Sequence, residues 1–516
     1  MRWCKPMPLR AALLCAVLLP LSGQAEQREL ADGSLYTIAL DDEANQLVLR
    51  HRDSRGQLSE QRFTPDNQVL DGACLSLQDS ELQVYAFSDR GYLAQWLLPA
   101  PGAPLQPVRR IPGVVEAADC FVDDASASLY VLEEGVGVWR HNAGEGSLAR
   151  ELLAAYAPLG KLDPEAESFA VVDGELRVGA VTVAELASAR PAQLPAVHAS
   201  TQTTPVPTHG DSADDPAIWI NPDAPEASLV LGTDKRFGLR VYGLDGRETA
   251  AIATGRLNNV DLRPLRGHPE FVALAAASNR TRQSISLFGI SGSGAVRWLQ
   301  ESDIETGLDD PYGLCMYDDG ESLQVFVNDK DGRLQQWQLA GRDSGFSGSL
   351  LREITLPDQP EGCVADDTHH RLFIGVEDQG VSVMSTSPGN PAAPVMIAAV
   401  DGKHLHADVE GMDIYQQGES GYLVVSSQGD NSYALLERLP PHRYLGRFRV
   451  TTDAARGIDG TSDTDGLAVT HAALGAQYPQ GMLVVQDGYN VLPAANQNFK
   501  YIDWRAIAAA LVPPAS

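Results

Sequence analysis

The chain contains an internal repeat, and a repeat of this length restricts the folds that it can adopt. Residues 73–96 (ACLSLQDSELQVYAFSDRGYLAQW) align with residues 314–337 (LCMYDDGESLQVFVNDKDGRLQQW), and residues 120–138 align with residues 363–383. Repeats of roughly 40–50 residues that contain short strands and turns are typical of β-propeller blades. The sequence therefore predicts an all-β fold, with a partial propeller of three to four blades in residues 26–195 and about six blades in the remainder. The 47 Gly and 32 Pro suit such a turn-rich chain.

The N-terminus and one internal segment divide the chain into expected units. A basic start, an apolar stretch over residues 11–21 and a small residue, Ala25, predict a cleavable signal peptide over residues 1–25. A retained membrane anchor is the alternative, but the apolar stretch is too short to span a bilayer. The Pro- and Thr-containing segment 196–207 predicts a linker between a unit at 26–195 and a unit at 208–516. We expect a secreted or periplasmic protein.

The formal net charge of -29 limits the classes of partner. So acidic a chain repels nucleic acid and anionic membranes, and neither is expected as a partner once the signal peptide is removed. The same charge would repel a phosphorylated substrate. Such a substrate needs a locally basic site or must arrive with divalent cations.

Four cysteines lie outside the signal peptide, and the repeat relates them in pairs. Cys74 aligns with Cys315, and Cys120 aligns with Cys363. Within each half, the two cysteines are separated by nearly one blade, which places them on neighbouring blades. Disulfides Cys74–Cys120 and Cys315–Cys363 are therefore expected in an exported protein. Buried free thiols are the alternative, and the lack of a CxxC motif disfavours zinc.

Carboxylates are concentrated in the second half of the chain. Asp211, Asp214 and Asp215 lie within five residues, immediately before an apolar run. Crowded carboxylates repel one another unless a cation lies among them, although a solvated acidic turn is the simpler alternative. Further candidate oxygen ligands are Glu361, Glu377, Asp408, Glu410, Asp459, Asp465, Asp487 and Asn490. Hard oxygen ligands without His or Cys favour Ca²⁺ or Mg²⁺.

Basic residues follow several apolar strand runs in the same half. They are Lys235, Arg236, Arg280 and Lys330, with Tyr312 as a hydroxyl donor. Arg can hold two phosphate oxygens at once and Lys acts as a mobile point charge, although each could instead be a surface residue. The sequence has no GxSxG motif and no His cluster, so metal-assisted attack by water is the chemistry that the residues favour.

Five motifs appear together and in order: DDPAIW, NNVD, DVEG, DGTSDTDG and ANQNFK. Over about residues 201–505 this set resembles the β-propeller, or alkaline, phytases. The resemblance implies a six-bladed propeller over residues ~200–510 and calcium-dependent hydrolysis of phosphomonoesters of myo-inositol hexakisphosphate (phytate), as by a 3-phytase-type phosphoric monoester hydrolase. It further implies a monomer that takes phytate as its calcium complex. The alternatives are a non-catalytic calcium-stabilised binding propeller, a lactonase or another propeller phosphoesterase.

The resemblance also assigns roles to residues. It implies phosphate binding by Lys235, Arg280, Tyr312 and Lys330, with Arg236 beside them. Calcium ions around the cleaved phosphate would be held by Asp214, Glu361, Asp408, Glu410 and Asp465, and structural calcium by Asp459, Asp487 and Asn490. The aligned N-terminal positions lack these groups, with Asp42, Asp71, Asp89 and Ala118 opposite Arg280, Tyr312, Lys330 and Glu361. We therefore expect residues 26–195 to form a non-catalytic, incomplete propeller.

Overall fold

A computed structural model describes residues 26–30, 32–78, 81–144, 149–187, 194–342, 345–390 and 392–511. The predicted signal peptide lies outside these residues. The described chain is built almost entirely of antiparallel sheets, each of four strands or close to four. Within the described ranges no helix is both long enough and apolar enough to cross a membrane.

The N-terminal part, residues 26–187, forms four consecutive sheets and is called the arc. Its first sheet contains β1 (Glu26–Glu29), β2 (Leu35–Asp41), β3 (Gln46–Arg52) and β4 (Leu58–Phe63). The second contains β5 (Gly72–Gln78), β6 (Glu81–Ser88), β7 (Tyr92–Leu98) and β8 (Gln106–Arg110). The third contains β9 (Ala117–Asp123), β10 (Ser128–Glu133), β11 (Gly137–Asn142) and β12 (Arg150–Ala155). The fourth has three strands, β13 (Phe169–Val172), β14 (Glu175–Val178) and β15 (Val181–Glu185).

The remainder, residues 194–511, forms six sheets and is called the ring. It begins with β16 (Ala196–His198) and β17 (Thr201–Gln202). The first blade contains β18 (Ala213–Trp219), β19 (Leu229–Asp234), β20 (Gly238–Gly243) and β21 (Glu248–Ala253). The second contains β22 (Leu257–Pro264), β23 (Ala273–Asn279), β24 (Ser284–Ile290) and β25 (Val296–Trp298), with β26 (Ile304–Glu305) beside β24. The third contains β27 (Pro311–Asp318), β28 (Leu323–Asp329), β29 (Arg333–Arg342) and β30 (Gly345–Thr355).

The last three blades of the ring complete it. The fourth blade contains β31 (Pro360–Asp366), β32 (Arg371–Val376), β33 (Gly380–Ser385) and β34 (Val395–Ala399). The fifth contains β35 (Val409–Gln417), β36 (Ser420–Ser427), β37 (Ser432–Glu437) and β38 (Tyr444–Thr451). The sixth contains β39 (Leu467–Thr470), β40 (Met482–Asp487) and β41 (Asn498–Asp503). Helix α1 (Trp504–Leu511) follows β41. The Trp504 ring stacks on Tyr415 at 3.6 Å between centroids, which anchors the helix to the fifth blade.

The innermost strands show that the ring closes. They contact one another in the order β18, β22, β27, β31, β35 and β39, and β39 contacts β18 again. Apolar side chains pack between successive sheets and form the cores. In the arc the inner-strand contacts run from β1 through β5 and β9 to β13. The predicted division into three to four blades and six blades is confirmed.

The segment expected to be a linker contains two short strands. Strand β16 pairs in parallel with β38, and β17 pairs antiparallel with β41, so both belong to sheets of the ring. Strand β17 supplies the fourth strand of the last blade. Pairing of this kind depends on partners some 250–300 residues away and leaves no local signal in the sequence.

Both expected disulfides are present. Cys74–Cys120 joins β5 to β9, and Cys315–Cys363 joins β27 to β31, with Cα–Cα distances of 5.9 and 5.7 Å. Each bond links the innermost strands of neighbouring blades. Disulfides persist in oxidising compartments, which indicates an extracellular or periplasmic protein.

The arc packs against the ring through a small apolar cluster. Leu97 and Val108 of the arc contact Ala454, Val491 and Leu492 of the ring. Close to this cluster the Glu81 carboxylate accepts a hydrogen bond of 3.1 Å from the Ala454 N–H. The contact lies on two loops of the ring, one before β39 and one before β41.

Candidate active site

Five of the six inner strands of the ring begin with the same irregularity. In β18, β22, β27, β31 and β35 the pairing register slips, so that two residues face one on the neighbouring strand. These bulged pairs are Asp214-Asp215, Asn258-Asn259, Tyr312-Gly313, Glu361-Gly362 and Glu410-Gly411. A bulge re-aims a side chain at a sheet end. Here it does so at the same end of five blades.

Polar side chains opposite the bulges satisfy the backbone groups that the slip leaves unpaired. Thr233 Oγ1 accepts a hydrogen bond of 2.9 Å from the Asp215 N–H. Asn328 Oδ1 does the same for the Gly313 N–H at 2.8 Å. These bonds fix the backbone that carries the site residues, because a buried unpaired N–H would destabilise the fold.

Two glycines let successive bulges approach each other closely. A Cβ at Gly313 would lie 1.8 Å from the carbonyl oxygen of Glu361, and one at Gly362 would lie 2.2 Å from that of Glu410. No other residue type fits such an approach of two backbones. The stacking brings the carboxylates of adjacent blades toward one point.

A second set of side chains reaches the same mouth from the neighbouring strands. Because the blades are antiparallel, the end of each second strand lies beside the start of the inner strand. The residues that directly follow β19, β23, β28, β32 and β36 are Lys235, Arg280, Lys330, Glu377 and Gln428. Bases and acids from five blades therefore surround one opening.

The carboxylates at this mouth are buried and incompletely paired. Asp214 is fully buried, and within the described part of the chain neither of its oxygens has a hydrogen-bond partner. Oε2 of the buried Glu410 also lacks one among these residues. Carboxylate oxygens of Glu361, Glu377 and Glu410 all lie within 4.8 Å of one another. Like charges so close repel one another unless a cation or a proton neutralises them.

Burial and mutual repulsion raise the pKa values of this group. Burial is the main cause for Asp214 and Glu410, whose pKa values lie well above the ordinary range, and Glu361 raises both further. Burial also raises the pKa of Asp465 to about 7, although Lys235 opposes it, and raises that of Glu377 to about 7. Perturbed carboxyls gathered in a mouth indicate a functional site.

Lys235 provides one positive charge inside the acidic group. Its Nζ lies 2.8 Å from Asp211 Oδ1, 2.7 Å from Asp465 Oδ2 and 4.0 Å from Asp214 Oδ1. The amide of Gln428 donates to the other oxygen of Asp465 at 2.8 Å. Asp465 therefore joins the sixth blade to the site through polar contacts instead of a bulge.

A basic group forms the opposite side of the mouth. Arg280 makes a bidentate ion pair with Asp310, at 2.7 and 2.5 Å, and donates to Asn258 Oδ1 at 3.3 Å. Lys330 Nζ lies 4.0 Å from the centre of the Tyr312 ring. The Asp310 pair and the Asn258 contact hold the guanidinium in place. This geometry suits a phosphate oxygen.

Comparison with known proteins identifies the family. The family model for Phytase matches residues 168–514. The chain belongs to the phytase family. The 3-phytase of Bacillus subtilis (strain 168) is 40% identical over 326 residues, which cover 60% of this chain and 84% of that protein. The chain is accordingly a phosphoric monoester hydrolase that acts on phytate. The family match begins before β13, so it includes the three-stranded sheet as well as the ring.

Phytases are metal-dependent, and the donor set of this phytase fits a metal ion. The unpartnered oxygens of Asp214 and Glu410 and the cluster around Glu361 offer oxygen ligands without His or Cys. Such donors match a hard divalent cation. The residues at the mouth therefore fit the group that the family uses.

Four predicted site residues lie at the margin of this phytase site. Asp215 turns to the next blade, where its carboxylate accepts the Val260 N–H at 2.9 Å. Asp211 is two-thirds exposed and reaches the site only through Lys235. Arg236 is exposed, and Asp408 is half-buried directly before β35. The contacts described for Asp215 are those of a blade-to-blade connection.

The three predicted structural ligands meet around a lysine. Lys500 Nζ lies 2.6 Å from both Asp459 Oδ1 and Asp487 Oδ2, and 3.5 Å from Asn490 Oδ1. All four side chains are buried. The ammonium offsets one of the two negative charges of this pair of carboxylates. The assignment of calcium to these three residues stays a prediction.

Sequence reasoning missed several residues that shape the site. Asn258 donates to Glu361 Oε1 at 3.0 Å and also contacts Arg280, although it lies in the NNVD motif that drew attention to the family. Lys500 closes the ANQNFK motif and received no role. Asp310 and Gln428 act through partners on other elements. Asn258, Asp310 and Gln428 lie in or beside bulged positions, and these positions can be recognised only once the strand register is known.

Proposed function

We propose that this phytase is calcium-dependent and that the mouth of the ring is its catalytic centre. The observation that carries the proposal is the buried carboxylate of Asp214, which has no hydrogen bond among the described residues and lies at the same end of the ring as the basic side chains of Arg280 and Lys330. A protein that merely used calcium for stability would not need a cationic clamp beside it. The arrangement suits a phosphate that bridges metal ions and basic side chains.

Charge balance supports the need for cations. Around the mouth lie seven carboxylates, and three basic side chains face them. The carboxylates are Asp211, Asp214, Glu361, Glu377, Asp408, Glu410 and Asp465, and the bases are Lys235, Arg280 and Lys330. A phosphate would be repelled by this excess. When bound, calcium ions would neutralise the carboxylates and supply an activated water for attack on phosphorus.

The side chains of the chain itself then bind and orient the phosphate. Arg280, fixed by Asp310, presents a planar pair of N–H groups, and Lys330 adds a point charge above the Tyr312 ring. The Tyr312 hydroxyl stays protonated, because burial and the adjacent Glu361 raise its pKa. It therefore acts as a hydrogen-bond donor to an anion. Lys235 lies among the carboxylates of the mouth, and we expect it to contact the same phosphate. The exposed Arg236 adds a positive charge next to it.

The substrate form follows from the charge of the whole protein. Since the chain carries a net charge of -29, free phytate would be repelled at long range. We therefore propose that phytate enters as its calcium complex and that the enzyme acts as a monomer.

The decisive experiment measures phosphate release from calcium phytate with and without excess EDTA. Chelation should abolish turnover and should lower the melting temperature, because an ion that binds only the folded state stabilises it. Glu410→Gln should reduce turnover at least about 100-fold, by removing a ligand at the centre of the acidic group. The matched control, Glu419→Gln, changes an exposed residue of the same blade region and should leave turnover unaltered. Full turnover in EDTA would exclude calcium from the reaction, and tight phytate binding without phosphate release would favour the binding propeller.

A further inference from the structure

A second polar cavity lies between the arc and the ring, away from the mouth. Its volume is about 780 Å³. The wall formed by the arc includes Arg140, His141 and Arg150, and the wall formed by the ring includes Asp430, Arg447 and Arg449. A cavity of a few hundred to about 1,000 Å³ is the size that small-molecule sites have. The apolar contact of Leu97 and Val108 with the ring holds the two walls in a fixed relation.

The carboxylates of this cavity already have partners. Asp430 pairs with Arg447, and Glu151 pairs with Arg140. Asp124 accepts the Leu77 N–H at 3.0 Å and pairs with Arg28 at 3.2 Å. These acids are thus largely neutralised within the protein.

Two guanidinium groups remain without an acidic partner. Arg449 donates to the backbone oxygen of Asp430 at 2.8 Å, and Arg150 donates to the backbone oxygen of Gly113. Within the described ranges neither forms an ion pair with a carboxylate. Both are exposed, and they stand on opposite walls. Each guanidinium has five N–H donors, so most of this donor capacity is open to an anion.

A buried histidine between these walls also lacks a partner. His141 is 4% exposed and lines the cavity, and among the described residues its Nε2 makes no hydrogen bond. Burial is the main cause that lowers the pKa of the imidazole to about 4, and the charges of Arg150 and Arg109 contribute in the same direction. The ring is therefore neutral at pH 7. The lining holds four arginines and four carboxylates, Glu81 among them, so the cavity is close to neutral, in contrast to the acidic protein as a whole.

We propose that this cavity is a second anion-binding site, which holds a phosphorylated polyol between Arg150 and Arg449. The remaining lining suits a polyol, because it includes the hydroxyl groups of Ser126 and Thr451 and the amide of Asn142. The choice of a polyol phosphate rests on the proposed function, whereas the anion site rests on the arginines alone. The site is separate from the catalytic mouth.

The cavity shares one turn with the catalytic centre. The turn Gln428–Asp430 carries Asp430 at the cavity and Gln428 at Asp465, and Asn431 beside it accepts the Asp463 N–H at 2.8 Å. A ligand held at Arg449 therefore lies against the same turn that positions a catalytic carboxylate. This proximity would keep a partly hydrolysed substrate near the mouth.

The test measures binding by titration calorimetry on the full chain without chelator, and turnover is suppressed by substitutions at the mouth. The starting protein carries Arg280→Ala and Lys330→Ala, which remove the clamp at the mouth, and phytate is the probe. Binding should persist in this protein and should weaken at least tenfold when Arg150→Ala and Arg449→Ala are added. Arg297→Ala, an exposed arginine paired with Glu270, is the matched control and should have no effect. Phytate should also bind at least tenfold more tightly than inorganic phosphate.

Three outcomes would overturn the proposal. One is absence of phytate binding in the clamp-free protein, and another is unchanged affinity after loss of both cavity arginines. Equal affinities for phytate and inorganic phosphate would exclude a polyol site. Arg449→Gln, at an exposed position, provides a second variant if the double change impairs folding. Failure of calcium-dependent phosphate release would instead contradict the proposed function and would leave this binding result intact.

Discussion

The arc and the ring use the same blades, but they differ where the inner strands begin. In the ring, five inner strands carry a bulge that turns a site residue into the mouth. In the arc, β5 pairs with β6 in unbroken register from Gly72 to Gln78, and β1 pairs with β2 without a slip. Only β9 bulges among the described inner strands of four-stranded arc sheets, and its extra residue is Ala118. The comparison shows that the fold can repeat while the site does not.

The positions after the second strands differ in charge as well. The ring has Lys235, Arg280 and Lys330 there, whereas the arc has Asp42, Asp89 and Glu134 after β2, β6 and β10. At one of these positions the arc has a contact between strand ends in place of a basic residue: Asp71, before β5, accepts the N–H of Asp89, after β6, at 2.7 Å. An anion that is attracted at the mouth of the ring would be repelled at the equivalent end of the arc.

The largest expected effect tests this difference directly. Arg280→Ala or Lys330→Ala should reduce kcat/KM on phytate by at least about 100-fold, since each removes a charge aimed at the reacting phosphate. Asp42→Ala and Asp89→Ala, the matched changes in the arc, should leave it within about twofold. Steady-state phosphate release checks both sets, with circular dichroism as the control for folding. Comparable losses at Arg280 and Asp89 would show that the arc has a working site.

The sequence alone predicted the blade numbers and both disulfides, because these features recur with the repeat. Cys74 and Cys120 could be paired only because they align with Cys315 and Cys363. The sequence could not predict that Lys500 lies between Asp459 and Asp487, since contacts between elements far apart in the chain follow from register and closure. The same reason explains why strand β16 was not predicted: it pairs with β38, far away in the chain, and its own segment is rich in Pro and Thr.

The next expected effect concerns whether the ring folds and remains active without the arc. A fragment of residues 194–516 should fold and release phosphate, because it keeps β16 and every residue of the mouth. Its free energy of unfolding should fall by roughly 2 kcal/mol, since loss of the arc exposes Val491 and Leu492. Residues 26–193 should release no phosphate. Activity assays and denaturant titrations of both fragments measure this.

A shorter fragment sharpens the boundary. Residues 201–516 lack β16, so the edge of β38 loses its parallel partner, and the melting temperature should fall below that of residues 194–516. Equal melting temperatures would show that β16 contributes nothing to the ring. An inactive but folded 194–516 fragment would show instead that catalysis requires the arc.

The smallest expected effect concerns a buried aspartate contact that occurs in both the arc and the ring. An inner-strand aspartate accepts the N–H of the next inner strand: Asp119 from Phe169 at 2.8 Å in the arc, and Asp413 from Val469 at 2.7 Å in the ring. Burial is the main cause that raises the pKa of Asp119 to about 6 and that of Asp413 to about 7. Both folded-state values lie above the ordinary value near 4. The folded state thus holds protons that the unfolded chain has released.

This sign fixes the pH dependence. The stability that each protonated carboxyl contributes is complete below about pH 4, and it is lost as the pH rises to about 6 for Asp119 and to about 7 for Asp413. Asp119→Asn should remove a decline of roughly 3 kcal/mol and Asp413→Asn one of roughly 4 kcal/mol over these windows, with the wider window in the ring. Denaturant titrations between pH 4 and 8, with the exposed Asp89→Asn as the control, measure the slopes. Slopes identical to that of the unaltered chain would show that both aspartates ionise as freely in the folded protein as in the unfolded one, and the contact would then carry no pH dependence in either part.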